Sequence, residues 1–273
     1  MKSSHYEQTT LNFLKLGGSL ITDKLQPSSP KLDVINRLAN EISKSLKNAP
    51  GMNLVLGHGS GSFGHVPASQ YGTRGGVHTP DEWLGFIKVW RQANSLNRLV
   101  MDALAQCEIP AIPFPASACI LAKDSRIVTW NLETISAALK AGLVPVIFGD
   151  VVFDEERGGT ILSTEDLFEH LVPHLNPARV LIAGLEPGVW ADYPKCTRLF
   201  EKISPADYHN VSKSLSSSSA TDVTGGMVSK VEQCLRMLNA TPGLIISIFG
   251  GETPGAVERC LSGELPGTQI ISA

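Results

Sequence analysis

The sequence has no closely spaced cysteine pair and no long hydrophobic run. Its five cysteines are scattered over 273 residues and form no CxxC motif, which argues against a disulfide framework or a cysteine-based zinc site. The longest apolar stretches, at residues 143–148 and 244–249, are far shorter than the roughly 20 residues that a membrane-spanning helix needs. Insertion into a membrane is therefore not expected.

Concentrated positive charge is also missing. The net charge is −3, the sequence pI is about 6.2, and the lysines and arginines do not cluster. Because binding to a phosphate backbone needs a concentrated basic face, nucleic acid is not an expected partner. Residues 1–10 are polar and lack the apolar segment of a secretory signal, so a cytoplasmic location is predicted. An anionic ligand would be bound locally, by a few lysines and by backbone N–H groups.

Strand-like apolar runs alternate with helical patterns along the chain. Strands are predicted at residues 11–16, 53–56, 111–114, 144–152, 179–183 and 244–249, and helices at residues 32–46, 80–106, 132–141, 163–175 and 225–239. Residues 65–79 are predicted as a loop, and the serine-rich residues 212–221 as a mobile surface loop that could act as a lid. The alternation predicts an α/β fold, an αβα sandwich around a largely parallel central sheet, with two lobes sharing one sheet.

Three glycine-rich segments follow a predicted strand or begin a predicted helix, at residues 15–19 (KLGGS), 57–65 (GHGSGSFGH) and 224–230 (TGGMVSK). Glycine has no Cβ, so backbone N–H groups at such positions can approach and surround a phosphate. Gly59, Gly61 and Gly64 also fit the GxGxxG spacing of dinucleotide-binding folds. That alternative is disfavoured because no helix is predicted directly after the loop. A P-loop is disfavoured because the sequence contains no Gly-Lys dipeptide.

Lysines accompany the glycine segments, namely Lys15, Lys24 and Lys230. Phosphoryl transfer needs little covalent chemistry from the protein, and mainly cations placed around the phosphates to neutralise charge in the transition state. Lys15 lies inside an apolar predicted strand, where an ammonium group needs a partner. Phosphoryl transfer is therefore favoured over glycoside hydrolysis, which the carboxylates Asp150 and Asp166 would otherwise suggest.

The order of these segments resembles that of the amino acid kinase superfamily. The matching segments are residues 15–19, 57–65, 149–151 (GDV), 163–166 (STED) and 225–230, and the resemblance extends over about residues 11–250. The SFGH ending of the glycine loop at residues 62–65 is similar to that of isopentenyl phosphate kinases, and fosfomycin-phosphorylating kinases are similar there too. The resemblance implies that Mg-ATP phosphorylates isopentenyl phosphate to isopentenyl diphosphate. Magnesium would be bound mainly through the ATP phosphates.

The resemblance also implies site residues. It assigns catalytic roles to Lys15, His65, Asp166 and Lys230: Lys15 would contact the transferring phosphoryl group, Asp166 would orient the lysines by charge pairing, and His65 would bind the acceptor's phosphate. The nucleotide would be bound by Lys15, Gly17, Gly18, Ser19, Gly61, Ala183, Gly184, Gly226 and Lys230. The acceptor would be bound by Ser60, Gly61, His65, Gly149 and Lys24. Asp150 and Asp166 are candidates for aligning lysines or for binding magnesium through water.

The long helix predicted at residues 80–106 carries large apolar side chains, most of which are expected to face the core. Phe86, Val89, Trp90 and Ala93 are predicted to border an apolar pocket for a five-carbon isoprenoid tail. Each buried CH₂ of such a tail would contribute about 0.8 kcal/mol of binding free energy.

Other functions remain open from the residues alone. One is a small-molecule kinase of the same fold that acts on fosfomycin, a carboxylate or a nucleotide. Another is a non-catalytic nucleotide- or oxyanion-binding protein, which the pair Lys15 and Lys230 makes less favoured. The expected partners are ATP and a small phosphate acceptor, and the resemblance implies a homodimer. Residues 11–175 would form the acceptor-binding lobe, and residues 176–273 the nucleotide-binding lobe.

Overall fold

The computed structural model describes residues 10–216 and 226–272. Its centre is an eight-stranded sheet, whose strands in spatial order are β10 (Lys202–Ile203), β12 (Thr268–Ile270), β11 (Ile245–Gly250), β9 (Arg179–Gly184), β1 (Thr10–Leu16), β2 (Met52–His58), β6 (Val144–Phe148) and β3 (Ala111–Pro113). Neighbouring strands are parallel except for β11 and β12. The carboxyl ends of β1, β2, β6, β9 and β11 therefore meet at one edge of the sheet.

A four-stranded sheet stands beside the large one. In spatial order it contains β5 (Arg126–Trp130), β4 (Ile120–Lys123), β7 (Asp150–Asp154) and β8 (Gly158–Leu162). Strands β4 and β7 are parallel, and the other two pairs are antiparallel.

Helices cover both faces of the large sheet. They are α1 (Gly18–Ile21), α2 (Leu32–Asn48), α3 (Gly61–Tyr71), α4 (Pro80–Gln106), α5 (Ala116–Cys119), α6 (Glu133–Lys140), α7 (Thr164–Leu175), α8 (Tyr208–Ser216), α9 (Gly226–Ala240) and α10 (Ala256–Leu261). Alternate residues of β1 enter different cores: Leu14 joins the core of α2, α4 and α10, whereas Phe13 joins that of α6, α7 and α9. The predicted αβα sandwich around a largely parallel sheet is confirmed.

The helix predicted at residues 80–106 is confirmed as α4. Its start follows from local chemistry, because the Thr79 hydroxyl accepts from the Glu82 amide while the Glu82 carboxylate accepts from the Thr79 amide. Pro80 occupies the first turn, where its missing N–H leaves no intrahelical partner unpaired. Among residues 10–216 and 226–272, no helix combines the length and the apolar character needed to cross a membrane.

The loop predicted at residues 65–79 is wrong in its first half, because α3 runs from Gly61 to Tyr71. The helix contains Gly64 and Pro67, both poor helix formers, which concealed it in the sequence. It packs closely against α4: a Cβ on Gly85 of α4 would overlap the Tyr71 side chain, closer than real Cβ contacts. Tertiary packing therefore overrides weak local propensity here.

The single strand predicted at residues 144–152 is also wrong. The chain breaks at Gly149, so that β6 ends in the large sheet and β7 begins in the small one. The hairpin of β4 and β5 was not predicted at all. Its turn uses Asp124 and Ser125, both with positive φ (48° and 61°), in place of the usual Asn-Gly pair. The Asp154 carboxylate accepts hydrogen bonds from both turn amides, which stabilises this uncommon turn.

The serine-rich stretch at residues 212–221 is only partly described. Residues up to Ser216 belong to α8, so the predicted loop is wrong for that part. Residues 217–221, where the rest of the predicted lid falls, lie outside the described residues.

Candidate functional site

Two of the glycine segments touch each other at the carboxyl edge of the large sheet. Gly17 and Gly18 follow β1, and Gly59 to Gly61 follow its parallel neighbour β2. The Gly59 amide donates to the Leu16 carbonyl oxygen at 3.0 Å. A Cβ on Gly18 would lie 2.7 Å from the Gly61 Cα atom, closer than real Cβ contacts. Only glycine lets these two backbones approach so closely. Such close approach was expected of loops whose backbone N–H groups bind phosphate.

The next strand end contributes to the same edge. The Gly17 amide donates to the Ala183 carbonyl oxygen at 2.8 Å, and the Gly251 amide donates to the Gly184 carbonyl oxygen at 2.8 Å. The residues predicted to bind the nucleotide in β9 are thus adjacent to those after β1. Ser19 lies half-buried in α1, and Gly226 is the first residue of α9, with a φ of +65° that favours glycine.

Lys15 is the buried cation of this edge. It is the penultimate residue of β1 and only 6% exposed, and its Nζ atom donates to a carboxylate oxygen of Glu165, in the first turn of α7. Burial tends to raise the pKa of Glu165, but the charges of Lys15 and Lys230 outweigh it, so the pKa of Glu165 is lowered. Glu165 therefore stays ionised and interacts with both predicted lysines. One carboxylate is the common partner of two cations.

The sequence assigned the charge pairing with the lysines to Asp166, but the residue that pairs with Lys15 is Glu165. Asp166 instead caps α7: its carboxylate accepts from the amide and the hydroxyl of Ser163, and its amide donates to the Ser163 hydroxyl. Its other carboxylate oxygen accepts from Gln233 of α9 at 2.6 Å. The Arg74 guanidinium lies 3.5 Å from the capping oxygen, Oδ2. The Asp166 carboxylate is thus committed to a cap. A direct role of Asp166 in the reaction stays a prediction.

Glu165 could have been found from the sequence. A serine followed three residues later by an acidic side chain indicates a capping box, which commits that third residue to the helix end. The acidic residue at the second helical position is then the one available to a lysine across the cleft. Thr22, another residue not predicted, gave no such signal. It is fully buried, accepts from the Ser62 amide at 3.0 Å and donates to the Gly18 carbonyl oxygen at 2.8 Å.

His58 joins the elements around the second glycine segment. Its carbonyl oxygen accepts from the Thr164 hydroxyl at 2.6 Å and from the Gly149 amide at 3.3 Å. Its ring is buried, stacks on Phe148 with centroids 5.3 Å apart and contacts Asn97. Burial lowers the pKa of His58, although the hydrogen bonds to Asn97 and Gly59 oppose this. The imidazole is therefore neutral, and the predicted acceptor residue Gly149 is fixed beside the end of β2.

His65 lies in the first half of α3, four residues after Gly61, and is half-buried. Ser60 is the residue before α3, with its hydroxyl close to Gly64: a Cβ on Gly64 would come within 2.6 Å of the Ser60 Cβ. Ser60 and His65 are therefore close in sequence to Gly61, which contacts Gly18. Lys24, by contrast, is exposed in the connection between α1 and α2. Its role in acceptor binding stays a prediction.

The residues predicted for an apolar pocket divide into two groups. Phe86, Val89 and Ala93 are buried on the inner face of α4, and the first two share a small core with Val77 and Val151. Trp90 is 42% exposed. The pocket assignment of all four residues stays a prediction.

Asp150 begins β7 directly after Gly149 and is completely buried. Burial raises the pKa of its carboxyl to about 6, although hydrogen bonds from Ser117 and Val151 oppose the rise. Among residues 10–216 and 226–272, no three His, Cys, Asp or Glu side chains cluster in a way that could hold a metal ion. Backbone amides and lysines, rather than carboxylates, dominate the described site.

A family model matches most of the chain. The model describes the amino acid kinase family and matches residues 10–247. The isopentenyl phosphate kinase of Methanothermobacter thermautotrophicus is 36% identical over 269 residues, covering 94% of this chain and 97% of that protein. The isopentenyl phosphate kinase of Methanocaldococcus jannaschii is 32% identical, covering 95% of this chain and 98% of that protein.

Solved structures agree with the sequence comparison. An X-ray structure of isopentenyl phosphate kinase superposes with a TM-score of 0.81 at 31% identity, covering 95% of this chain and 99% of that one. A product complex of the isopentenyl phosphate kinase of T. acidophilum superposes with a TM-score of 0.76 at 25% identity, covering 96% and 100%.

Proposed function

The chain belongs to the isopentenyl phosphate kinases of the amino acid kinase family, and we propose that it transfers the γ-phosphoryl group of ATP to isopentenyl phosphate. One observation supports this above the others. The glycine segments after β1 and β2 touch at Gly18 and Gly61, directly beside the Lys15–Glu165 pair. Phosphates of donor and acceptor brought to this edge would meet end to end, next to a buried cation.

The reaction needs no general base. An oxygen of the acceptor's phosphate, a monoester that is mostly dianionic near pH 7, attacks the γ-phosphorus of ATP. The bond between the γ-phosphorus and the oxygen bridging to the β-phosphorus breaks. Isopentenyl diphosphate and ADP result, and no proton has to be removed from the nucleophile. What the protein supplies is alignment and charge neutralisation.

The residue roles are proposed accordingly. Lys15 contacts the transferring phosphoryl group, and Glu165, rather than Asp166 alone, fixes the Lys15 ammonium. Gly17, Gly18, Ser19, Gly61, Ala183, Gly184, Gly226 and Lys230 bind ATP, and Ser60, Gly61, His65, Gly149 and Lys24 bind the acceptor's phosphate. Phe86, Val89 and Ala93, with Trp90 at the rim, border the isoprenoid tail. Residues 11–175 form the acceptor lobe, and residues 176–273 the nucleotide lobe.

Magnesium is proposed to enter with ATP. The described site offers amide and ammonium groups that suit phosphate oxygens, and its carboxylate Glu165 is already paired with a lysine. A magnesium ion bound by the ATP phosphates would neutralise charge on the β- and γ-phosphates. The protein is also proposed to form a homodimer and to be located in the cytoplasm.

An ADP-release assay tests the function. The purified protein is given Mg-ATP with isopentenyl phosphate, dimethylallyl phosphate, fosfomycin or UMP, and the products are identified by mass. We expect the highest kcat/KM with isopentenyl phosphate and a product heavier by one phosphoryl group. A clear preference for fosfomycin or UMP would contradict isopentenyl phosphate as the acceptor. ATP binding without turnover of any acceptor would favour the non-catalytic alternative.

A further inference from the structure

Helices α7 and α9 face each other through several polar contacts. Near their N-termini, the Glu165 carboxylate interacts electrostatically with Lys230. Further along, the Gln233 side-chain amide donates to Asp166 at 2.6 Å. The third contact is a bidentate ion pair of Arg236 with Glu169, at 2.7 and 3.0 Å.

The three contacts are evenly spaced on α9, whereas on α7 they are made by Glu165, Asp166 and Glu169, of which the first two are adjacent. Positions 230, 233 and 236 are three residues apart, so their side chains follow one face of α9. Apolar contacts also contribute to the interface: Val231, Cys234 and Leu235 share a core with α7. Apolar contacts stabilise the packing but are non-directional, whereas a hydrogen bond with a defined donor and acceptor specifies one register.

The acceptor of the middle contact is itself fixed. The Asp166 Oδ2 atom accepts from the Ser163 amide and hydroxyl, which leaves Oδ1 for Gln233. Asp166 directly follows Glu165, the partner of Lys15. The position of Gln233 is therefore set relative to the same turn of α7 that places the Lys15–Glu165 pair.

We propose that Gln233 is a positioning residue, which fixes the register of α9 on α7 and thereby the place of Lys230 relative to Lys15 and Glu165. The inference rests on the proposed function in one respect, that Lys230 binds the phosphates of ATP. Gln233 lies one helical turn after Lys230 and acts through it. Arg236 lies a further turn away, where its exposed ion pair contributes to stability and has little leverage on Lys230.

The test compares Gln233→Leu with Arg236→Leu. Both remove one polar contact from the same interface and keep an apolar stem. We expect Gln233→Leu to raise the KM for ATP by about tenfold, the effect of losing one hydrogen bond to a charged group, and to leave the KM for isopentenyl phosphate within twofold. We expect the two variants to lower the Tm by similar amounts. Arg236→Leu should nevertheless keep the KM for ATP within twofold of the wild-type value. Equal changes of KM in the two variants, or an unchanged KM in Gln233→Leu, would overturn the proposal. Gln233→Ala repeats the test if the leucine variant does not fold.

A binding measurement separates this inference from the proposed function. Calorimetry with a non-hydrolysable ATP analogue gives Kd without any acceptor, and the same tenfold contrast between the two variants is expected. If the wild-type chain binds the analogue but phosphorylates no isopentenyl phosphate, the proposed function fails while the Kd contrast still decides the role of Gln233. An equal Kd for both variants would remove that role even in an active kinase.

Discussion

The ammonium of Lys15 and the carboxylate of Glu165 form a buried ion pair between residues 150 positions apart in the sequence. Strand β1 contributes the cation and the first turn of α7 the anion. The charge of Lys230 acts on the same carboxylate, so Glu165 attracts two cations that repel each other. Glu165 thus sets the geometry of the lysines before any phosphate arrives.

Glu165→Gln should therefore impair the reaction. Its amide remains polar but carries no charge to hold the lysines, and we expect kcat to fall by about 100-fold, as on loss of one preorganised electrostatic group. Because folding lowers the pKa of Glu165, its stabilising effect is present above the ordinary carboxyl range and is lost as the pH falls through the folded-state pKa. The Tm difference from the wild type should accordingly shrink toward low pH.

Glu169→Gln is the matched control, since it removes the same charge one turn further along α7, from the exposed pair with Arg236. Steady-state kinetics should show near-normal kcat for this variant. An equal loss in the two variants would mean that the net charge of α7, and not the pairing with Lys15, affects the rate.

Gly18→Ala should separate the two glycine segments. The new Cβ would lie 2.7 Å from the Gly61 Cα and 3.3 Å from the Gly59 carbonyl carbon, both backbone atoms that cannot move without shifting the loop. We expect at least a tenfold loss of kcat/KM with an intact fold, measured by kinetics and circular dichroism. In Gly142→Ala the strain comes only from a φ of +74°, and no described atom lies within 4 Å of the new Cβ. That control should lose about 1 kcal/mol of stability and keep its kcat.

Long-range features of the fold were predictable where the pattern was strong. The apolar runs around β1, β2 and β9 and the capped helix α4 predicted the layers and the edge where the loops meet. Helix α3 was hidden because glycine and proline lower its local propensity, and packing against α4 compensates for them only in the folded chain. One argument against a dinucleotide-binding fold, the absence of a helix after the glycine loop, was therefore wrong. The family comparison excludes that fold independently.

The site was predictable to the level of segments and less so to that of side chains. Residues 163–166 were predicted to contribute Asp166, but the carboxylate that contacts Lys15 in the structure belongs to Glu165. Which of two adjacent acidic residues contacts Lys15 depends on the cap geometry of α7, which the spacing of Ser163 and Asp166 indicates in the sequence but which the prediction did not use. His58 and Thr22 were missed because single buried polar residues have no sequence signal.

His65→Ala tests acceptor binding. The imidazole on α3 is proposed to donate to the acceptor's phosphate, so we expect most of the kcat/KM for isopentenyl phosphate to be lost while ATP binds normally. Calorimetry with an ATP analogue and kinetics over a range of acceptor concentrations separate the two effects. His78→Ala, at an exposed position before α4, is the control and should behave as the wild type. Near-normal turnover in His65→Ala would remove the assignment.

Val89→Ala tests the apolar pocket. The side chain is buried in the small core with Phe86, and its truncation should create space at a cost of about 1–3 kcal/mol in stability. We expect the ratio of kcat/KM for a ten-carbon prenyl phosphate over isopentenyl phosphate to rise. Trp90→Ala should change this ratio less, because Trp90 is 42% exposed. An unchanged ratio at Val89, Phe86 and Ala93 would contradict a pocket on this face of α4.

The two aspartates at the ends of β7 should have opposite effects on stability as the pH changes. Burial raises the pKa of Asp150 to about 6, so the protonated form is favoured in the folded state. Its contribution to stability is largest below the ordinary carboxyl range and is lost as the pH rises through about 6. For Asp154 burial also acts to raise the pKa, but hydrogen bonds from four backbone amides, including those of Arg157 and Ser125, outweigh it and lower the pKa. Its contribution is present at neutral pH and is lost as the pH falls.

Asp150→Asn and Asp154→Asn form the matched pair for this prediction. Thermal unfolding is measured from pH 4 to 7.5. The free energy of unfolding of Asp150→Asn, relative to the wild type, should rise over this range by on the order of 2 kcal/mol, since one pKa unit corresponds to about 1.4 kcal/mol. Asparagine keeps an oxygen for the Val151 amide, but its NH₂ cannot accept the hydrogen bond that the Ser117 backbone amide donates to the carboxylate. Because that loss does not depend on pH, the change of the stability difference with pH reports the charge alone. The free energy of unfolding of Asp154→Asn should instead fall further below that of the wild type as the pH rises. Parallel curves for Asp150→Asn and the wild type would show that the carboxyl is ionised without penalty, and hence that β7 begins in a more polar setting than its complete burial implies.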